Sequence, residues 1–321
     1  MINSSVGTVE NHRGREKGVL VYPVYSRRAG GLSIGVNLFP DKKQCSFDCP
    51  YCEVFPFSNS AVFSVEQMET DLRAAVAGAK ERNIPVKDIC FSGNGESTLS
   101  PDFPEALEKA GRIRAETAPN SGLVLITNGT GLLRPEIFSL LRDAVFEYRL
   151  DIWLKLDAGT PGWYQKMNRA KIPHEKLTAK IKEFAACAPV TIQTMLCMAD
   201  GEEPPPEEVR VWESLIVELC VTAAAGNGGI RKVQIYGKAR PSPDDPAAQA
   251  LPPEYLEERA SMLLSALHCY RPLSLLKQTR LSDNSGLFWG SRRADINGGT
   301  QLDAVHVQAS QFLIPKIEVH P

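Results

Sequence analysis

Long apolar runs are missing from this 321-residue chain. No stretch approaches the ~20 consecutive apolar residues that a membrane-spanning helix needs, so no helical membrane anchor is expected. The segment Met1 to Lys17 is polar and lacks the apolar core of a secretory leader, and the chain is expected in the cytoplasm. An excess of charge of one sign is also missing. Lys plus Arg number 36 and Asp plus Glu 38, a formal charge of −2, which argues against a general nucleic-acid coat protein and leaves only a local basic patch open. Histidine is scarce, and His12, His174, His268, His306 and His320 form no H-x3–5-H pair. Eight cysteines are too few for a disulfide scaffold. The 43% apolar and 23% charged composition is that of a globular chain, long enough to bury most of its apolar side chains.

Short runs rich in Val, Ile, Leu, Phe or Trp alternate with helical patterns. Val19–Tyr25 and Leu32–Leu38 flank a glycine-bearing link and read as a hairpin. Ile89–Ser92, Leu123–Thr127, Ile152–Leu156, Val190–Leu196 and Lys232–Tyr236 read as further strands. Val65, Met68, Leu72, Val76 and Ala79 repeat at steps of three and four, one face of a helix. Ser64 and Gln67 form a candidate capping box at its start. Later helical stretches lie near Pro104–Ala115, Pro135–Asp143, His174–Ala186, Glu207–Ala225 and Pro253–Leu267. Repeated strand–helix units require a parallel sheet, because each return to a parallel neighbour needs a crossover. About six units suit a partial barrel rather than a closed eight-stranded one. Asp303–Val307 and Phe312–Val319 are expected as strands packing on the body. The expected division is a polar segment 1–18, a core 19–268 and a C-terminal extension 269–321 packed on that core.

Three of the eight cysteines fall in Cys45-Ser46-Phe47-Asp48-Cys49-Pro50-Tyr51-Cys52. Thiolates at C-x3-C-x2-C spacing can hold three corners of one [4Fe–4S] cube from a single loop, leaving the fourth iron open. A structural zinc site wants four protein ligands, usually as two pairs, and no second C-x2-C exists.

This loop, with the aromatic Tyr51 before its last cysteine, resembles the radical S-adenosylmethionine (SAM) superfamily. Ser92-Gly93-Asn94-Gly95-Glu96 follows the second core strand, where that family has a Gly-Gly-Glu-like motif, here interrupted by Asn94. Thr127-Asn128-Gly129 follows the third strand, Lys155-Leu156-Asp157 ends the fourth, and Gln193 or Met195 lies on the fifth. The hairpin residues Pro23 to Arg28 and Gly35-Val36-Asn37-Leu38 look like the branch holding wyosine-type tRNA-modifying synthases and their relatives. The resemblance covers roughly residues 19–240. It implies an α/β fold, a partial (β/α)6 barrel of the radical SAM type with the hairpin and the C-terminal extension added.

The same resemblance implies the chemistry. Cys45, Cys49 and Cys52 would bind a [4Fe–4S] cluster. Tyr51, Gly93, Gly95, Glu96, Asn128, Lys155, Asp157 and Gln193 would contact SAM, with glycine carbonyls and Glu96 near its ammonium. Reductive cleavage of SAM would give a 5′-deoxyadenosyl radical that takes hydrogen from a substrate, with electrons supplied by a flavodoxin- or ferredoxin-like donor. The substrate is open, with tRNA one candidate. A glycyl-radical-enzyme activase and a non-enzymatic iron–sulfur or zinc module are the alternatives. Taken singly, Gly93–Glu96 and Thr127–Gly129 also read as ordinary turns, and Lys155 with Asp157 as a buried ion pair. Arg27 and Arg28 read equally as a solvated turn or as anion ligands. Lys238 and Arg240 could also reach an anion, against which stands the acidic loop Asp200–Pro206. What unites the motifs is that each falls at the C-terminal end of a strand, where β/α barrels gather their ligands.

Overall fold

A computed structural model describes residues 17–223, 228–282 and 315–320. Among the described residues nine strands and seven α-helices alternate, as expected of a crossover-built sheet. In chain order they are β1 (Val21–Ser26), β2 (Gly31–Val36), α1 (Val65–Glu81), β3 (Val86–Phe91), α2 (Phe103–Thr117), β4 (Gly122–Thr127), α3 (Pro135–Glu147) and β5 (Leu150–Lys155). Then follow α4 (Pro161–Asn168), α5 (His174–Cys187), β6 (Pro189–Ala199), α6 (Pro206–Ala223), β7 (Gly229–Gly237), β8 (Ala248–Ala250), α7 (Pro253–Ser282) and β9 (Lys316–His320). The sheet runs β1-β2-β3-β4-β5-β6-β7-β9, with β8 paired to β6 on the side. β1 is antiparallel to β2, and every later neighbour on that path is parallel.

The fold is therefore the expected α/β partial barrel, six parallel strands (β2 to β7) plus the hairpin strand β1. The C-terminal strand, expected to pack on the body, does so by joining the sheet as β9, parallel to β7 from Lys232↔Lys316 to Tyr236↔His320. Asp303–Val307, and residues 1–16 of the polar N-terminal segment, lie outside the described residues. α7 continues past Leu267, where the expected helical stretch ends, to Ser282. α4 was not expected at all, because its eight residues are too few to show a helical period.

Strand alternation explains the core. Ile89, Phe91, Leu123, Leu125, Ile152, Leu154, Val190, Ile192, Val233 and Ile235 are all buried in the main apolar cluster together with helix residues. The intervening positions face the concave side and are largely polar: Asp88, Asp151, Lys155, Thr191, Gln193 and Gln234. Cys90, Val124 and Trp153, with Ile126 packed against them, form a small apolar patch there. These polar groups bind one another. Trp153 Nε1 donates to Asp151 at 2.8 Å, Thr191 Oγ1 to Asp151 at 3.0 Å, and Gln193 Nε2 to Gln234 at 2.7 Å. A sheet with an apolar back under helices and a polar hollow front is a container, not a solid core.

The expected face of α1 is buried residue for residue: Val65, Met68, Leu72, Val76 and Ala79. Its capping box forms only in half. Ser64 Oγ accepts from Gln67 N at 3.3 Å, but the Gln67 side chain turns forward to Asp71 at 2.8 Å.

Glu318 fastens β9 to the sheet. Burial works against its charge, but hydrogen bonds from Lys316, Gln234 and Lys232 outweigh that and bring its pKa from an ordinary 4.5 down to about 2. A folded pKa below the unfolded one stabilises above the unfolded value, and the stabilisation is lost as pH falls through the folded value. Wild-type protein should therefore lose melting temperature faster than a Glu318→Gln variant between about pH 4.5 and 2. Parallel melting curves for the two across that window would remove Glu318 as the fastener.

Candidate active site

Between β2 and α1 the chain makes no regular element, and this loop carries the three cysteines. Cys52 N bonds Cys49 O at 3.0 Å, a tight turn around Pro50, and Phe47 N points at Cys45 Sγ at 3.4 Å. The loop is pinned on several sides. Phe47 packs edge-on against Tyr164 of α4, with ring centroids 5.7 Å apart. Asp48 N donates to Asn168 O at 3.0 Å, and Ser46 Oγ meets Thr130 Oγ1 at 2.7 Å. Cys45, Cys49 and Cys52 all line one cavity of about 290 Å3 on the concave side of the sheet. Cys45 is exposed as a residue, but the protein atoms crowded around its sulfur displace water and push the thiol up to about 12, with Glu96 and the other two cysteines adding repulsion. Burial likewise raises Cys49 to about 11, partly offset by Lys155.

The glycine motif is locked to the cysteine loop through the backbone. Gln44 pairs with Gly95 as an isolated parallel bridge. Gln44 N donates to Asn94 O at 2.9 Å, and Glu96 N donates to Gln44 O at 2.8 Å. A Cβ on Gly95 would stand 1.6 Å from the Gln44 carbonyl oxygen, so the approach requires glycine. At Gly93, φ is +141° and a Cβ would meet Asn37 Oδ1 at 2.6 Å. Asn37 Oδ1 in turn accepts from Asn94 N at 3.1 Å and Phe39 N at 3.2 Å. Asn94, which interrupts the Gly-Gly pair, is itself buried and donates to Phe39 O at 3.0 Å. Gly35 has a parallel use: the Tyr22 ring lies over it, 2.2 Å from where a Cβ would be, and carries its hydroxyl to Ser92 Oγ at 2.8 Å.

Glu96 is buried and already bonded. Its carboxylate accepts from Thr98 Oγ1 and Thr127 Oγ1 at 2.7 Å each, and from Asn128 N at 2.8 Å. Burial raises its pKa against these bonds. It therefore joins the ends of β3 and β4 as well as facing the cavity. Asn128 Nδ2 reaches Ser46 Oγ at 2.9 Å and Cys45 Sγ at 3.6 Å.

Asp157 is a second junction. Tyr51 Oη donates to its Oδ2, as does Asn168 Nδ2 at 2.8 Å, while Oδ1 accepts from Met195 N at 2.9 Å. Lys155 Nζ stands 3.4 Å from Asp157, 2.5 Å from Tyr236 Oη and 4.9 Å from the Tyr51 ring centre. Burial alone would pull Lys155 down, but Asp157, Tyr236 and Cys49 hold its ammonium above the ordinary value. Burial and the Asp157 charge hold the Tyr51 phenol in its protonated form.

The sequence-selected residues thus sort by depth. Cys45, Cys49, Cys52, Tyr51, Gly93, Gly95, Glu96, Asn128 and Lys155 line the cavity. Asp157 stands immediately behind Tyr51 and Lys155. Gln193 is fully buried one layer further in, bonded to Gln234, and Met195 rather than Gln193 lines the wall. Arg28 also lines it, 5.0 Å above the Tyr236 ring and 3.4 Å from Gln193 Oε1. Arg240 pairs with Glu53 at 2.7 Å, and the acidic loop is partly neutralised by Lys166 on Glu202 at 2.7 Å. Asn168, Tyr236, Trp153 and His320 escaped the sequence argument. Tyr236 and Trp153 carried a signal, as concave-side positions on strands already assigned. Asn168 and His320 carried none, since they sit on α4 and β9.

Among the described residues no three His, Cys, Asp or Glu side chains converge on a single ion. A cube asks for something different, thiols spread around a cavity. Three cysteines lining one cavity, with amide donors to two of the sulfurs, fit that demand.

The sequence matches the Radical SAM superfamily over residues 42–207, more than half of the chain. It is 31% identical over 131 residues to a UPF0026 protein of Helicobacter pylori, covering 40% of this chain and 41% of that one. It is 28% identical over 160 residues to UPF0026 protein MJ1312 of Methanocaldococcus jannaschii, covering 48% and 44%. These matches span less than half the length of either relative. The fold is similar to a radical SAM methyltransferase from Sphaerobacter thermophilus (TM-score 0.55, 17% identity, 76% of this chain and 66% of that one). It is also similar to Streptococcus suis SuiB bound to S-adenosylmethionine (TM-score 0.54, 13% identity, 74% and 48%). The cysteine loop and the glycine motif both lie inside the matched residues, and the chain belongs to the radical SAM superfamily.

Proposed function

We propose that the protein holds one [4Fe–4S] cluster on Cys45, Cys49 and Cys52 and uses it to generate a substrate radical from SAM. The observation that carries this is the Gln44–Gly95 backbone pair, which brings the cysteine loop and the glycine motif to one cavity at the strand ends. When bound, the cluster and SAM together supply a one-electron cleavage of the C5′–S bond. The chain does the rest. Gly93 and Gly95 let the motif close on Asn37 and Gln44, and so present its backbone to the cavity. Glu96 adds negative charge for an ammonium, Lys155 offers its ammonium beside Tyr51, and the polar hollow of the sheet receives the substrate out of bulk water. A flavodoxin- or ferredoxin-like protein is the proposed electron donor. The substrate class is left to experiment, tRNA included.

Anaerobically reconstituted wild-type protein is expected to hold about four irons per chain and to release 5′-deoxyadenosine when reduced in the presence of SAM. Iron without 5′-deoxyadenosine would favour a binding module. A glycyl-radical signal appearing on a partner protein would favour the activase. An iron count near eight would require a second cluster on cysteines outside the loop.

A further inference from the structure

Two asparagine amides, from different elements, point at two different cysteine sulfurs. Asn168, the last residue of α4, is 1% exposed. Its Nδ2 lies 3.5 Å from Cys49 Sγ and 2.8 Å from Asp157 Oδ2, and its backbone carbonyl takes the Asp48 N–H. Arg169, in the left-handed conformation at φ +46°, turns the chain away directly afterwards. Asn128 Nδ2 lies 3.6 Å from Cys45 Sγ, and its Oδ1 accepts from Thr130 N and Thr130 Oγ1, which fixes the amide's orientation. Neither amide is free to turn away.

An N–H aimed at a thiolate sulfur withdraws charge from it. That favours the more negative, reduced form of a cluster, and hydrogen bonds to sulfur are among the factors that set cluster potentials. We propose that Asn168 and Asn128 are positioning residues which raise the reduction potential of the cluster and so let a modest one-electron donor reduce it. This rests on the cluster assignment above.

The test is EPR-monitored redox titration of reconstituted wild type, Asn168→Ala, Asn128→Ala and the double variant, with iron content measured on each. Expected is near-normal iron, a more negative midpoint in each single variant, and a double shift close to the sum, since the two sulfurs are separate. The Asn128 arm leaves Asp157 untouched but also removes the tie to Ser46 of the cysteine loop, which is why iron content is read beside each midpoint. An unchanged midpoint in both single variants at full iron content overturns the proposal. Should a variant fail to fold, the wild type still decides. Pulsed EPR of the reduced cluster, in protein whose asparagine carries heavy nitrogen, should show coupling to side-chain amide nitrogen. Absence of that coupling also overturns the proposal. Wild type that takes up no iron would sink the functional assignment itself, whereas a normal cluster with unmoved potentials sinks this inference alone.

Discussion

Cys49→Ala protein, taken through reconstitution, is expected to release no 5′-deoxyadenosine above background, and Cys45→Ala and Cys52→Ala likewise. Even outer-shell partners of a metal ligand are worth about 10–100-fold in affinity or activity, so loss of a ligand should exceed about 100-fold. Iron content should fall with it. The fold should survive, because the three cysteines sit on an irregular loop and the buried cluster under the helices is built from other residues. Far-UV circular dichroism of the apo variant should match that of apo wild type. Full turnover in Cys49→Ala would falsify the cluster assignment.

Gly95→Ala should be nearly as damaging, by another route. The added methyl would stand 1.6 Å from the Gln44 carbonyl oxygen and 2.5 Å from its carbon. Both are backbone atoms, so no side-chain rotation relieves the overlap. Overpacking alone costs about 1–3 kcal/mol, occasionally more. Prising apart the two Gln44 hydrogen bonds adds about 1 kcal/mol each. Melting temperature and iron uptake should fall together, since the bridge that breaks is the one holding the cysteine loop over the strands. Gly162→Ala is the control: nothing lies within 4 Å of its added Cβ, and it should behave as wild type. Normal iron uptake in Gly95→Ala would show that the loop is held by other contacts.

What could be read from residues alone was whatever repeats or stands close in sequence. Short runs rich in Val, Ile, Leu, Phe or Trp marked the strands, a three-and-four step marked α1, and the cysteine spacing marked the loop. The position of each motif after a strand then implied a shared rim, because parallel strands put all such ends on one side. Contacts between residues distant in sequence did not follow. Nothing about Gly95 announces Gln44, and Asn37 gives no hint that it braces Gly93. Asn168 was invisible twice over: its helix is too short to show a period, and its role depends on a carboxylate and a sulfur brought in from elsewhere. The same limit explains Gln193. Alternation places it on the concave side, but only the packing of Gln234 shows that it lies beneath the wall and not in it. β9 was recognised as a strand, yet its place beside β7 depends on the Glu318 ties, which are long-range.

The hairpin β1–β2 stands apart from the reaction machinery in one respect. Tyr22, Val24, Tyr25, Arg27 and Arg28 form one wall of the cavity, while the cysteines, the glycine motif and the Asp157 junction come from loops at the other strand ends. Among the described residues β1 bonds to β2 alone in the sheet, although Tyr22 reaches Ser92 and Arg28 reaches the Tyr236 ring. On the function proposed above, substitutions at Val24 and Tyr25 would recut this wall of the cavity while leaving those two ties in place. The hairpin would then be the interchangeable part, through which a lineage fits one reaction core to new substrates.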